Sequence, residues 1–113
     1  MKRIAIIIIV LAATQLTLAQ QSTPRVVEIS AKRFEFNPKQ ITLKRGEPVT
    51  IRLVSTDRAH GLLVNALGVD LDADDGKPAE ITITPDAAGT FAAICDHYCG
   101  SGHGNMKMTV VVE

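Results

Sequence analysis

The 113-residue chain has no tryptophan, one tyrosine (Tyr98) and only three phenylalanines. Its core must therefore be mostly aliphatic, and 46% hydrophobic residues supply enough for one small domain. Charge of one sign is also missing, with twelve basic residues against twelve acidic. A neutral balance argues against nucleic acid as the main partner. No paired catalytic carboxylates, phosphate-binding glycine loop or nucleophile triad stands out, so the chain is not expected to be an enzyme by itself. Cysteine and histidine are scarce, at two and three residues. Yet both cysteines, two of the histidines and Met106 fall in one stretch of twelve residues, "CDHYCGSGHGNM" (Cys95 to Met106).

The N-terminus reads differently from the rest. Lys2 and Arg3 precede an apolar run from Ile4 to Ala13, and small residues at Thr17 and Ala19 suit a cut after Ala19. A charged start, short apolar run and small-residue site describe a secretory signal peptide over residues 1–19. The alternative is an uncleaved anchor. The sixteen residues from Ile4 to Ala19 are interrupted by Thr14 and Gln15, against the roughly 20 needed to span a bilayer. No cysteine near the cut offers a lipid attachment point. The expected mature domain, residues 20–113, keeps ten basic and twelve acidic residues and a charge of −2. It is expected to be exported to an oxidising, periplasmic or other extracytoplasmic compartment.

Beyond the leader, short alternating segments dominate. "RVVEISA" (Arg25 to Ala31), "FEFNP" (Phe34 to Pro38), "QITLK" (Gln40 to Lys44) and "PVTIRLV" (Pro48 to Val54) read as strands or strand-and-turn. So do "HGLLV" (His60 to Val64), "AEITIT" (Ala79 to Thr84), "GTFAAIC" (Gly89 to Cys95) and "MKMTVVVE" (Met106 to Glu113). Seven or eight strands separated by turn signals, with no helix after the leader, predict an all-β sandwich. "VDLDADDG" (Val69 to Gly76) has the alternate aspartates of a calcium loop. Its glycine falls one place late and Ile81 stands where a bidentate Glu is needed. It reads as a solvated acidic loop.

The cluster itself is spaced Cys95, Cys99, His103, Met106. Strands on both sides would pin this loop and fix the donors without help from a metal. Thiolate, imidazole and thioether together suit copper and form the donor set of electron-transfer copper sites. His60, the one histidine outside the loop, is the candidate for a further donor. Two other readings remain open on spacing alone. A Cys95–Cys99 disulfide would close a very short loop and leave His60, His103 and Met106 without a role. A structural zinc could use two Cys and two His but gains little from Met106.

The stretch from "TDRAHGLLVNALGVDLDADDGK" through "GTFAAICDHYCGSGHGNMKMTVVV" resembles the copper A domain of cytochrome c oxidase subunit II, which is similar to that of nitrous oxide reductase. Upstream, "FEFNPKQITLKRGEPVTIRL" is similar to the first half of cupredoxins. The motif Cys-x3-Cys-x3-His-x2-Met, with His60 thirty-five residues before Cys95, carries the likeness. The resemblance implies a Greek-key cupredoxin sandwich holding a dinuclear copper centre. Cys95 and Cys99 would bridge the metals as thiolates, and His60 and His103 would each cap one. Met106 and the backbone carbonyl of His97 would be weak ligands. Thiolate bridges spread one electron over both metals, which favours electron transfer. The ligand set implies no open position for substrate. A c-type cytochrome or a terminal oxidase is the partner implied. Asp70, Asp72, Asp74 and Asp75 could steer a basic cytochrome.

Three departures qualify the likeness. The oxidase family usually has Glu where His97 stands; a carbonyl ligand survives that change, and the His97 ring reads as solvated rather than as a donor. The family's aromatic residues near copper, including Trp, are missing, and Leu62 and Val64 stand in that region. Oxidase subunit II has two membrane helices, whereas this chain has at most one short segment. Two further roles stay open: copper storage or delivery, and a mononuclear cupredoxin using His60, Cys99, His103 and Met106 with Cys95 spare.

Overall fold

The computed structural model describes residues 23–97 and 103–113, without the side chain of His103. The leader expected over residues 1–19 and the proposed cut lie outside the described residues. Among the described residues there are nine strands, 3-10 turns at Asn65–Leu67 and His103–Asn105, and no α-helix.

The strands are β1 (Arg25–Lys32), β2 (Glu35–Asn37), β3 (Gln40–Leu43), β4 (Val49–Ser55) and β5 (His60–Val64). They continue as β6 (Val69–Ala73), β7 (Ala79–Ile83), β8 (Gly89–Ile94) and β9 (Lys107–Val112). One sheet has the order β2-β1-β4-β7 and the other β3-β9-β8-β5-β6. β1 pairs parallel with β4, and β3 parallel with β9; the other pairs are antiparallel. After β2 the chain crosses to the second sheet, where β3 lies beside the last strand. The all-β sandwich expected from the alternation is the fold observed.

Period-two alternation sends one side of each strand inward. In the first sheet these are Ile29 and Ala31 of β1, Phe36 of β2, and Val49, Ile51 and Leu53 of β4. In the second they are Ile41 and Leu43, Leu62 and Val64, Val69 and Leu71, Ala93, and Met108, Val110 and Val112. Of the three phenylalanines only Phe36 is fully buried, so the core is aliphatic, as the composition requires. Leu62 and Val64 are core residues. On the outer side of the first sheet, cross-strand neighbours pair by polarity: Thr50 with Thr82 at 2.7 Å, and Arg52 with Glu80 at 3.5 Å and Glu28 at 3.6 Å.

One expectation is corrected. Val69–Ala73 is not part of a solvated loop but the edge strand β6, paired with β5 from His60↔Ala73 to Val64↔Val69. Val69, Leu71 and Ala73 are buried while Asp70 and Asp72 face water. The alternate aspartates that resemble calcium-loop spacing are the outer half of a strand's alternation. Asp74 and Asp75 follow the strand, in the turn region before β7.

Candidate metal centre

Strand register brings the candidate donors together. β5 and β8 are antiparallel with Leu63 opposite Ile94. Each step back along β5 is therefore a step forward along β8, which puts Gly61 level with Asp96 and His60 level with His97. β8 and β9 pair Ile94 with Lys107. The next level joins Cys95 to Met106, whose carbonyl accepts the Cys95 N–H at 3.1 Å. β5, β8 and β9 are consecutive in the sheet, and neighbouring strands lie about 5 Å apart. Parity turns all three side chains inward: His60 is 0% exposed, Cys95 3% and Met106 1%. His60, Cys95 and Met106 thus lie on the inward side of three consecutive strands at one end of the sandwich core.

The atoms facing that end suit a soft metal. Cys95 is a free, buried thiol, and its Sγ donates to the backbone carbonyl of His97 at 3.2 Å. The carbonyl that the resemblance implies as a weak ligand therefore lies against the Cys95 sulfur, while the His97 side chain is exposed. His60 Nδ1 is buried with no hydrogen-bond partner. A buried polar atom left unpaired is costly and rare, and it calls for an explanation such as an ion that binds there. Cys99 lies outside the described residues. His103 opens the short turn before Met106, but its side chain is not described. Among the described residues, no three His, Cys, Asp or Glu side chains gather at metal-holding spacing. What the described atoms offer is a thiol, a thioether and an imidazole nitrogen, which fit copper by donor type.

The segment before His60 is a hydrogen-bonded turn. The buried Ser55 hydroxyl accepts from the N–H groups of Asp57 at 3.3 Å and Arg58 at 3.2 Å, and donates to the Arg58 carbonyl. Such hydroxyl-centred turns are a common use of serine. The turn delivers Asp57 to the ring. Asp57 Oδ1 lies 2.6 Å from His60 Nε2 and accepts the Arg58 N–H at 2.7 Å; Oδ2 accepts the Arg33 N–H at 2.8 Å. Partial burial pushes the Asp57 carboxyl upward, but the donors Arg33, His60 and Arg58 outweigh it and hold the group below its ordinary value. Sequence reasoning does not single out Asp57. The signal available was an aspartate three residues before a candidate ligand, inside the turn-forming run "STDR".

A second carboxylate approaches from the loop. Asp96 packs over Gly61, where an added Cβ would collide with the Asp96 carboxylate and come within 3.1 Å of Asp72 Oδ1. Burial, a hydrogen bond with Asp70 and the negative charges of Asp70 and Asp72 raise the Asp96 carboxyl above its ordinary value. The outer face beside the candidate centre is therefore acidic.

Comparison with known proteins agrees with this architecture. The chain matches the model of the cupredoxin-like domain over residues 3–112. It is 30% identical to cytochrome c oxidase subunit 2 of Thermus thermophilus over 87 residues, covering 77% of this chain and 64% of that protein. It is 28% identical to nitrous-oxide reductase of Cupriavidus necator over 91 residues, covering 77% of this chain and 14% of that protein. The chain thus spans less than two thirds of the length of these relatives. The periplasmic domain of subunit II of cytochrome oxidase from Bradyrhizobium japonicum superposes with a TM-score of 0.72 at 16% identity, covering 79% of this chain and 83% of that one, which is a likeness of fold. On the strength of the family match and the sandwich topology, this chain belongs to the cupredoxin-like domain family.

Proposed function

We propose that this chain is an exported electron-transfer protein whose His60, Cys95, Cys99, His103 and Met106 hold a dinuclear copper centre, with the carbonyl of His97 as an added weak ligand. The observation that carries the reading is the placement of buried His60, Cys95 and Met106 at the same core end, with His60 Nδ1 unpaired and the Cys95 thiol free. Relatives named as oxidase subunit 2 and nitrous-oxide reductase support copper and redox work over storage.

A copper pair held by these residues would supply a one-electron couple. The chain's part is to hold donors still. His60 and Met106 are anchored by strands or strand ends, and the hydrogen bond between Cys95 and Met106 closes the neck of the loop. Rigid donors limit rearrangement between oxidation states, and the packed core around them keeps water from the buried atoms. The exposed aspartates of β6 and Asp96 lie beside the neck and would orient a basic partner such as a c-type cytochrome. The same surface could serve a terminal oxidase that accepts the electron. No turnover of a substrate is assigned to the chain.

Copper content per chain and the electron paramagnetic resonance spectrum of the loaded mature protein test the reading. Two coppers per chain and hyperfine structure from one electron shared by both nuclei are expected. One copper per chain with splitting from a single nucleus replaces it with a mononuclear site. Rapid release of Cu(I) to an acceptor, without stable redox cycling, replaces it with a copper carrier.

A further inference from the structure

We propose that Asp57 is a positioning residue that sets which nitrogen of His60 can meet a metal. The inference deepens the copper reading above and rests on it for its biological meaning, although its first test needs no copper.

An ionised carboxylate only accepts hydrogen bonds. Asp57 Oδ1 at 2.6 Å from His60 Nε2 therefore requires the proton on Nε2. In the neutral ring that leaves the lone pair on Nδ1, the buried atom with no hydrogen-bond partner. The carboxylate is itself held in place. Its second oxygen takes the Arg33 N–H from the β1–β2 turn at 2.8 Å, and its first also takes the Arg58 N–H at 2.7 Å. The Thr56 N–H reaches the Ala31 carbonyl at 3.1 Å, fastening the same two segments together. Backbone from two separate turns thus fixes the carboxylate, the carboxylate fixes the ring, and the ring keeps its Nδ1 lone pair buried, at the core end that also holds Cys95 and Met106. Partners of this kind, behind a metal-binding histidine, orient the ring and raise its basicity.

The test has two readouts. In isotope-labelled, copper-free protein at neutral pH, long-range proton–nitrogen correlations report the tautomer of each of the three histidines. His60 is expected as a single form with its proton on Nε2. Asp57→Ala should give a mixture or the opposite tautomer, and Asp57→Asn, which keeps an acceptor oxygen of the same size, should recover most of the wild-type form. Competition with a Cu(I) chelator should show affinity falling about 10–100-fold in Asp57→Ala and less in Asp57→Asn. A wild-type His60 with a proton on Nδ1 overturns the proposal, and that measurement needs no variant to fold. A folded Asp57→Ala protein with unchanged tautomer and unchanged affinity overturns it as well. A wild type with the expected tautomer that binds no copper supports the role of Asp57 and removes the copper reading instead.

Discussion

Asp57 and Asp96 are the same side chain set close to the same strand, and their surroundings push the two carboxyls in opposite directions from the ordinary value. Asp57 sits among donors: two backbone N–H groups and a ring nitrogen. Asp96 sits among acceptors, with Asp70 and Asp72 across β5 and β6. The difference lies in what the backbone points at each carboxylate. Beside His60, hydrogen-bond donors stabilise a negative charge on Asp57. The surroundings of Asp96 tolerate crowded negative charge, a cost to the isolated fold that a cationic partner would relieve.

Removing Asp57 breaks the comparison most strongly. Asp57→Ala leaves three donors without their acceptor, and hydrogen bonds to a charged group are each worth more than neutral ones. About a third of the Asp57 side chain faces water, so the freed groups are partly resolvated. A loss of about 2 kcal/mol at neutral pH is expected in urea unfolding of the copper-free protein. Because the folded-state value is depressed, this contribution is complete above the ordinary carboxylate range. It disappears as pH falls through the lower, folded-state value. The gap between wild type and variant should therefore close on acidification.

Gly61→Ala comes next. Its Cβ displaces the Asp96 carboxylate and crowds Asp72. A cost of about 1–2 kcal/mol is expected from overpacking. Most of it should vanish in an Asp96→Ala background, where the main obstacle is gone. A double-mutant cycle of denaturant midpoints measures that coupling.

Asp96→Asn should have the smallest effect and the opposite sign. A raised folded-state value means that the protonated form is favoured by folding, and that advantage is lost as pH rises through the raised value. The amide abolishes the repulsion at neutral pH and should stabilise the protein by under about 1 kcal/mol, because Asp96 is exposed and solvent screens its charge. Thermal melts at neutral and acidic pH should show the gain only at the higher pH.

Much of the fold is legible in the chain. Arg25 to Lys32, Val49 to Ser55 and Lys107 to Val112 alternate clearly enough that their buried faces follow from the sequence alone. β6 is less legible because aspartates occupy its outer positions, and charge masks a strand whose inner half is only Val69, Leu71 and Ala73. The candidate donors His60, Cys95 and Met106 are visible by residue type, but their shared end of the sandwich depends on register, which links residues 35 and 46 positions apart through β8. Asp57 is the least legible. Its role comes from the Ser55-centred turn and from Arg33 on another hairpin, and no local pattern encodes that meeting.

The hydrogen bond between Cys95 and Met106 has an evolutionary corollary. It separates the scaffold from the residues strung between the two ends, so that segment can lengthen or shorten while the strands keep their pairing. Closing a longer span grows costlier only with the logarithm of its length. A lineage could therefore try new side-chain spacings there without having to reinvent the two-sheet body that carries them.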